Sequence, residues 1–477
     1  MDPSSSPSLQ PSAILSMEPS EMLSFNPSSN PSFEPSLNPS FAPSRSLSFS
    51  PTASMPPTLS VVPSYSPSTY TELRRREDIF LAALRLSGFA TISDTTSPQR
   101  MALEWIMRDD GLQLNSNSPN FIQRYSISTF YFATTNGAKD SWTECGADAS
   151  QSSCPNESSR FLSPNNECDW SGIRCNAKDE ITDLRLKENG LTGSFMPKEL
   201  GFLSSLEILL LSKNYLSSTV PSEIGLLSNL KYLYLNNNNF VGTIPESIGN
   251  LENMVLFSVG NNAMNGTIPD KMFHSNLKHF DIDDNNFHGT LPSEMFTSSL
   301  NLLNIDIGGN SFEGTISKGF GNLTKMKLLR MNDNNFVGEL PSEIFASPSL
   351  QTLNCSLNDL NDTLPDELYG ATSLRVLNLA SNNFIGTIST EIGDLIDLVE
   401  LSLQSNQFEG TIPSTIGLLN DLTSMDMSFN FLSGIMPDEV CDLKSSSFLF
   451  LTLASDCGGS LPQVECHCCS SCETGYR

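Results

Sequence analysis

Three aspartates and two asparagines crowd between Asp281 and Asn286, within the stretch FDIDDNNFHGTLP. Alternating carboxylate and amide oxygens are what a calcium loop supplies. Counted from Asp281, such a loop needs glycine sixth and glutamate twelfth; this chain places Asn286 and Pro292 there. On an extended strand Asp281 and Asp283 would instead share one side, about 6–7 Å apart. Their repulsion in water is then no more than about 1 kcal/mol, too little to demand a bound cation. A second cluster, CHCCSSC from Cys466 to Cys472, sets His467 among four thiols. Such residues ligate zinc, but the spacing fits no standard finger, and disulfides account for the even number of cysteines in this tail. The four histidines, His274, His279, His288 and His467, fall in no HExxH pattern and beside no nucleophile motif, and no phosphate loop or kinase signature occurs. The expectation is a protein without metal or cofactor that recognises rather than catalyses.

The elements that would position these residues are read from composition and period. The chain has 477 residues and a formal net charge of −27. That balance argues against nucleic acid, whose binding requires Lys and Arg to neutralise phosphates, and favours basic or neutral partners. Residues 1–72 are rich in Pro and Ser, with Pro-Ser recurring every four residues from Pro27 to Ser44. So few apolar side chains cannot offset an ordering cost of about 1–2 kcal/mol per residue, and a disordered, partly extended stalk is expected. IFLAALRLSGFATI is interrupted by Arg85 and FLFLTLA is short, so no membrane span is expected in this chain.

Between Ile181 and Leu443 an asparagine recurs at 189, 214, 238, 262, 285, 310, 334, 358, 382, 406 and 430, with gaps of 25, 24, 24, 23, 25 and then 24 five times. Apolar residues precede most of them by eight, five and three positions, as do Leu230, Leu233 and Leu235 before Asn238, and Gly-Thr-Ile-Pro-like segments follow. A near-constant period over eleven copies predicts a solenoid, whose coils bury their apolar faces only by stacking. In LKYLYLNNNNF the alternation turns Leu233 and Leu235 inward and Tyr232, Tyr234 and Asn236 outward. The asparagine then turns the chain and can satisfy backbone groups of its own and the neighbouring coil.

These residues, LxxLxLxxNxFxGTIPxxIGxL, resemble the plant-type leucine-rich repeat. The resemblance implies an α/β fold, a right-handed solenoid with a parallel concave sheet. Ser218, Asp362, Ser317 and Ser389 stand where the pattern has Gly or Pro, and two copies are off length by one residue, around Phe287 and Asn301. The Pro-Ser tract and Cys-rich tail are similar to those of leucine-rich-repeat proteins of diatoms, which implies surface or wall association.

The flanks read as caps. Residues 73–180 form a helical region with Cys145, Cys154, Cys168 and Cys175; residues 444–477 form a tail which, with Cys441, holds Cys457, Cys466, Cys468, Cys469 and Cys472. Even counts at both ends predict disulfides and an oxidising compartment. CDWSGIRC resembles the amino-terminal cap signature of the family, which implies Cys168–Cys175, Trp170 over the first coil and, by remainder, Cys145–Cys154. The tail connectivity stays open. SPQRMALEWIM reads as a helix capped by Ser97, with Pro98 in its first turn, and NFIQRYSISTFYFATT as a second. Cys355 takes a Leu position and reads as a buried, inert thiol.

Outward strand positions locate the candidate face. Ile208, Leu210, Tyr232, Tyr234 and Leu256 make an apolar, aromatic patch suited to a binding hot spot; His279, Asp281, Asp283 and Asp306 make an acidic one, followed by Arg330. Eleven strands give a face of about 800 Å², one side of a standard interface. The expectation is an extracellular or cell-surface protein binding a protein, peptide or glycan, with a basic group favoured. A structural wall component, an inhibitor of a secreted hydrolase (as are similar plant solenoids) and an intracellular scaffold are the alternatives. Acceptor motifs for N-glycans occur at Asn156, Asn265, Asn322 and Asn361, and at Asn354, expected to be least occupied because it sits on the concave strand. MDPSSSP lacks the basic start and apolar run of a secretion signal, so a secreted reading expects such a segment upstream.

Overall fold

The computed structural model describes residues 67–473 apart from 136–141, 148–153, 155, 194–195, 447–451 and 459–462. The Pro-Ser stalk expectation falls outside the described residues up to 66. Its boundary at 72 needs correction: helix α1 begins at Pro67 (Pro67–Ser87). Proline is tolerated in a first helical turn, and Glu72 receives Arg75 and Arg76 from the next turn at 2.8 Å each. The interrupted apolar run forms the end of α1 and α2 (Phe89–Ser93), burying Ile79, Ala83 and Ile92. Among the described residues, no helix is long and apolar enough to cross a membrane.

The solenoid is clearest in one coil. Leu353 and Cys355 point inward and are fully buried, while Thr352 and Asn354 face out, half-buried. Cys355 is buried and in no disulfide, as its Leu position implied, and burial pushes its thiol upward. Leu357 then adopts a left-handed φ of 56°, and Asn358 turns inward. Its Nδ2 donates to the carbonyls of Met331 (3.0 Å), Cys355 (3.1 Å) and Ser356 (3.2 Å), and its Oδ1 accepts from Phe336 N (3.0 Å). Met331 and Phe336 belong to the coil before, so one carboxamide ties two coils together. Leu360 and Leu364 fill the return path, and Pro365 opens the 3-10 turn Asp366–Gly370.

Stacking in this way aligns the strands. Among the described residues fourteen form one sheet: an antiparallel strand at Ile173–Cys175, parallel strands from Ile181–Arg185 to Ser424–Asp426, then Thr452–Ser455 and Ser471–Cys472. Nine short strands, from Val241–Gly242 to Phe431–Leu432, form an outer sheet. There each glycine of the Gly-Thr-Ile-Pro segment takes positive φ and meets the threonine methyl of the preceding coil; a Cβ on Gly386 (φ 84°) would stand 2.9 Å from the Thr363 methyl. Three of the four departures from the pattern are compensated locally, while the Ser218 hydroxyl is buried without a hydrogen-bond partner. Asp362 keeps the left-handed turn (φ 77°), its carboxylate accepting from Thr363 N at 2.8 Å. Ser317 and Ser389, replacing proline, cap their 3-10 turns by accepting from Gly319 N (3.1 Å) and Glu391 N (3.2 Å). The off-length coils differ on the return path, with a three-residue turn at Asp270–Met272 and a short α5 at Glu294–Thr297.

Both expected cap helices are present, as α3 (Pro98–Arg108), whose Ser97 cap accepts from Arg100 N, and α4 (Phe121–Thr134). Arg124 of α4 is fully buried. It makes a forked pair with Asp110 (2.9 and 2.7 Å), reaches Glu167 (2.9 Å) and lies between the rings of Trp105 and Trp170, about 5 Å from each. Glu199 of the first coil, also buried, accepts from Ser87 Oγ (2.6 Å) and Gln99 Nε2 (3.0 Å), docking the helices on the solenoid. Cys145–Cys154 and Cys168–Cys175 are bonded as implied. The tail pairs Cys441–Cys468, Cys457–Cys472 and Cys466–Cys469, tying it to α6 (Asp438–Ser446) and placing every cysteine of CHCCSSC in a disulfide.

Asn358→Ala removes the amide and strands a buried N–H and carbonyls, a loss of about 2–3 kcal/mol. Asn335→Ala, on the exposed outer sheet, is expected to stay within about 0.5 kcal/mol of wild type. Urea denaturation of the three proteins side by side measures the contrast.

Candidate functional site

The parallel register converts sequence spacing into columns. His279 lies opposite Leu256 on one side and Asn304 on the other, and Asp281 opposite Ser258 and Asp306. Asp306 in turn faces Arg330. Going the other way, Leu256 and Ser258 face Tyr232 and Tyr234, which face Ile208 and Leu210. One column therefore reads Ile, Tyr, Leu, His, Asn, Leu, and the adjacent one Leu, Tyr, Ser, Asp, Asp, Arg. Apolar and acidic halves meet between Leu256–Ser258 and His279–Asp281.

A shallow depression of about 300 Å³ sits at that seam. Six of the ten expected face residues line it: Tyr234, Leu256, His279, Asp281, Asp306 and Arg330. Ile208, Leu210, Tyr232 and Asp283 share the face without lining the depression. Ile208 and Leu210 lie one coil before Tyr234, and Tyr232 lies two residues before it on the same strand. Asp283 folds back over Gly260, where an added Cβ would collide with its carboxylate, and accepts from Asn261 Nδ2 at 3.2 Å. Asn236, Ser258, Asn304 and Leu328 line the depression and were not singled out from the sequence. The signal was there, since Asn304 and Leu328 continue the His279 column by the repeat period.

The electrostatics are uneven. Ser258 Oγ donates to Asp281 (2.7 Å), and Arg330 Nη1 pairs with Asp306 (3.2 Å). Burial pushes the Asp306 carboxyl up, although Arg330 pulls it down. Asp283 is pushed up to about 7, first by burial and then by the Asp281 charge and a hydrogen bond to it. Burial and Lys278 lower His279, which disfavours a charged imidazole there. The seam thus offers apolar walls from Tyr234, Leu256 and Leu328 beside carboxylates that favour a cation. Asn354 lies farther along the sheet, its amide donating to Asn332 (3.1 Å) and accepting from Ser356. Asn156, Asn265, Asn322 and Asn361 are exposed.

With this geometry in view, the comparisons place the fold. The leucine-rich-repeat family matches residues 229–251, 276–297, 373–395, 397–419 and 421–443. A plant ice-binding protein shares 23% identity over 61% of this chain and 88% of its own, with a TM-score of 0.51. A TDR receptor shares 27% identity over 56% of this chain and 51% of its own (TM-score 0.49). The ectodomain of the receptor kinase GASSHO1/SCHENGEN3 from Arabidopsis thaliana shares 27% over 57% and 39% (TM-score 0.42). The chain thus spans about half or less of these two receptor structures. No curated protein matches it. Taken with the stacked strands and asparagine turns, the matched repeats show leucine-rich repeats in this chain, with a leucine-rich-repeat solenoid as its fold.

Asp283 holds its proton to about pH 7 when folded, against about 4 in an unfolded chain. A raised acid stabilises the fold fully below the unfolded value, and that contribution is lost as pH rises through the folded one. Asp283→Asn should therefore flatten the fall in Tm between about pH 4 and pH 7 by a few degrees relative to wild type. Parallel profiles for the two proteins would place the titration elsewhere.

Proposed function

We propose that this chain is a non-enzymatic recognition protein whose concave face binds a peptide or protein segment bearing an apolar anchor next to a basic group. The observation that carries the reading is the seam itself: the Tyr234–Leu256 wall abuts Asp281 and Asp306 within one depression. Tyrosine beside aliphatic surface gives contact area at low entropic cost, and a carboxylate in a half-buried setting discriminates strongly for a cation. Five disulfides support an extracellular or cell-surface setting. In that setting Asn156, Asn265, Asn322 and Asn361 carry N-glycans, and Asn354, on the concave strand, is the least occupied.

The test is a panel of synthetic peptides carrying Lys or Arg within two residues of Leu, Phe or Tyr, with neutral and acidic analogues, screened against the full chain. Basic–apolar peptides are expected to be retained preferentially. The double change Tyr232→Ala and Tyr234→Ala, or Asp281→Asn alone, should weaken the best binder by about tenfold or more. Equal capture by wild type and both variants would sink the concave-face assignment.

A further inference from the structure

The tail carries chemistry that a recognition face does not use. Cys466 and Cys469 are bonded to each other across only two intervening residues. Their neighbours are sulfurs of two other disulfides: Cys466 Sγ lies 3.9 Å from Cys468 Sγ, and the Sγ atoms of Cys457, Cys466 and Cys469 all fall within 4.8 Å of one another. Among the described residues no other group of three possible ligating residues gathers so closely. Cys466 and Cys469 are half-buried, so a small molecule can reach them, whereas Cys441, on α6, is buried.

The two sulfurs of this bond are not equivalent. Ser455, itself fully buried, sets its Oγ 3.4 Å from Cys469 Sγ. A disulfide sulfur has no proton, so the hydroxyl is the donor. If the bond opens, a thiolate on Cys469 gains a charge-assisted hydrogen bond. In thiol–disulfide exchange the better-stabilised sulfur leaves faster.

We propose that the Cys466–Cys469 disulfide is a thiol-exchange site, at which a small-molecule thiol becomes bonded to Cys466 and Cys469 is released as a thiolate held by Ser455. The incoming thiol loses its proton to solvent and its sulfur attacks Cys466 Sγ. The Cys466–Cys469 bond breaks, and its electron pair stays on Cys469. One disulfide replaces another, with no net oxidation or reduction. The Cys469 thiolate then faces Cys457 Sγ within 4.8 Å and displaces Cys472 from its pair with Cys457, which moves the thiolate to the exposed end of the strand Ser471–Cys472.

The experiment uses the full chain with one equivalent of glutathione, acid quenching, alkylation and peptide mapping by mass spectrometry. Expected is glutathione on Cys466, the alkyl label on Cys469 or Cys472, and intact Cys145–Cys154 and Cys168–Cys175 pairs. Ser455→Ala, with Tm confirming its fold, should slow adduct formation about tenfold, the worth of a hydrogen bond to a charged sulfur. Glutathione on Cys469, adducts appearing first on the amino-terminal pairs, or an even spread over all five disulfides would each overturn the proposal. An unchanged rate in Ser455→Ala would do so as well. If that variant does not fold, the position of the adduct on the wild-type chain still decides.

Discussion

From Asn214 onward each coil of this protein is fixed to its predecessor by an inward carboxamide, buried or half-buried, and most other features answer to that contact. A primary amide out of water is costly unless every donor and acceptor is met. Asn358 meets them with carbonyls of its own coil and one from the coil before. To deliver the side chain inward, the preceding residue must adopt a left-handed conformation, which Leu357 does at φ 56° and Ser381 at φ 54°. Neither residue favours that region, so the bonding of the amide outweighs local preference. Because the turn is set identically in coil after coil, the strands that precede it fall into register, and the concave columns follow.

A ladder of this kind needs an end on each side. At the amino-terminal end Asn189 has no earlier coil, and its Oδ1 accepts instead from Glu144 N (2.6 Å) and Thr143 Oγ1 (3.1 Å). At the other end two backbone donors, Phe429 N and Asn430 N, meet the two oxygens of Asp456, which is buried. A carboxylate suits that position, since two acceptors are needed there and no donor. The amino-terminal cap holds its loop by a different device, the Arg124 guanidinium shared by Asp110 and Glu167 between two indoles. Such a buried set of charges depends on its full complement of partners.

Much of this was legible in the sequence because solenoid geometry is periodic. The asparagine spacing located the strands, and the Leu233–Leu235 alternation assigned their faces. The same period placed Tyr234, Leu256 and the aspartates in adjoining columns. What was not legible depends on contacts without a period. Nothing near Asp456 marks it as a ladder terminus, because it lies beyond the last repeat in a segment with its own spacing. Helix α1 was hidden by its proline-rich approach and by Arg85, whose charge broke an apolar run that in fact packs on one side only. The depression at the seam came partly into view; which residues line it depends on how Asp283 folds over Gly260, a local matter of side-chain direction. Tail pairing was beyond reach, since six cysteines allow fifteen connectivities.

The threonine methyls that rest on the glycine of the following coil give the solenoid a direction. From Thr219 against Gly242 to Thr411 against Gly434, each junction between coils sets a threonine forward against a bare glycine, except where Glu339 and Asp362 take their places. A coil therefore fits its neighbours in one orientation, and any coil obeying the rule fits between any two others. Growth or loss of length in such a lineage can proceed by whole units of one period while the threonine–glycine junction is kept. The concave columns would then be dealt anew with each duplication, so the seam between the tyrosine wall and the aspartates is a boundary that recombination can shift along the sheet while the lock beneath it stays the same.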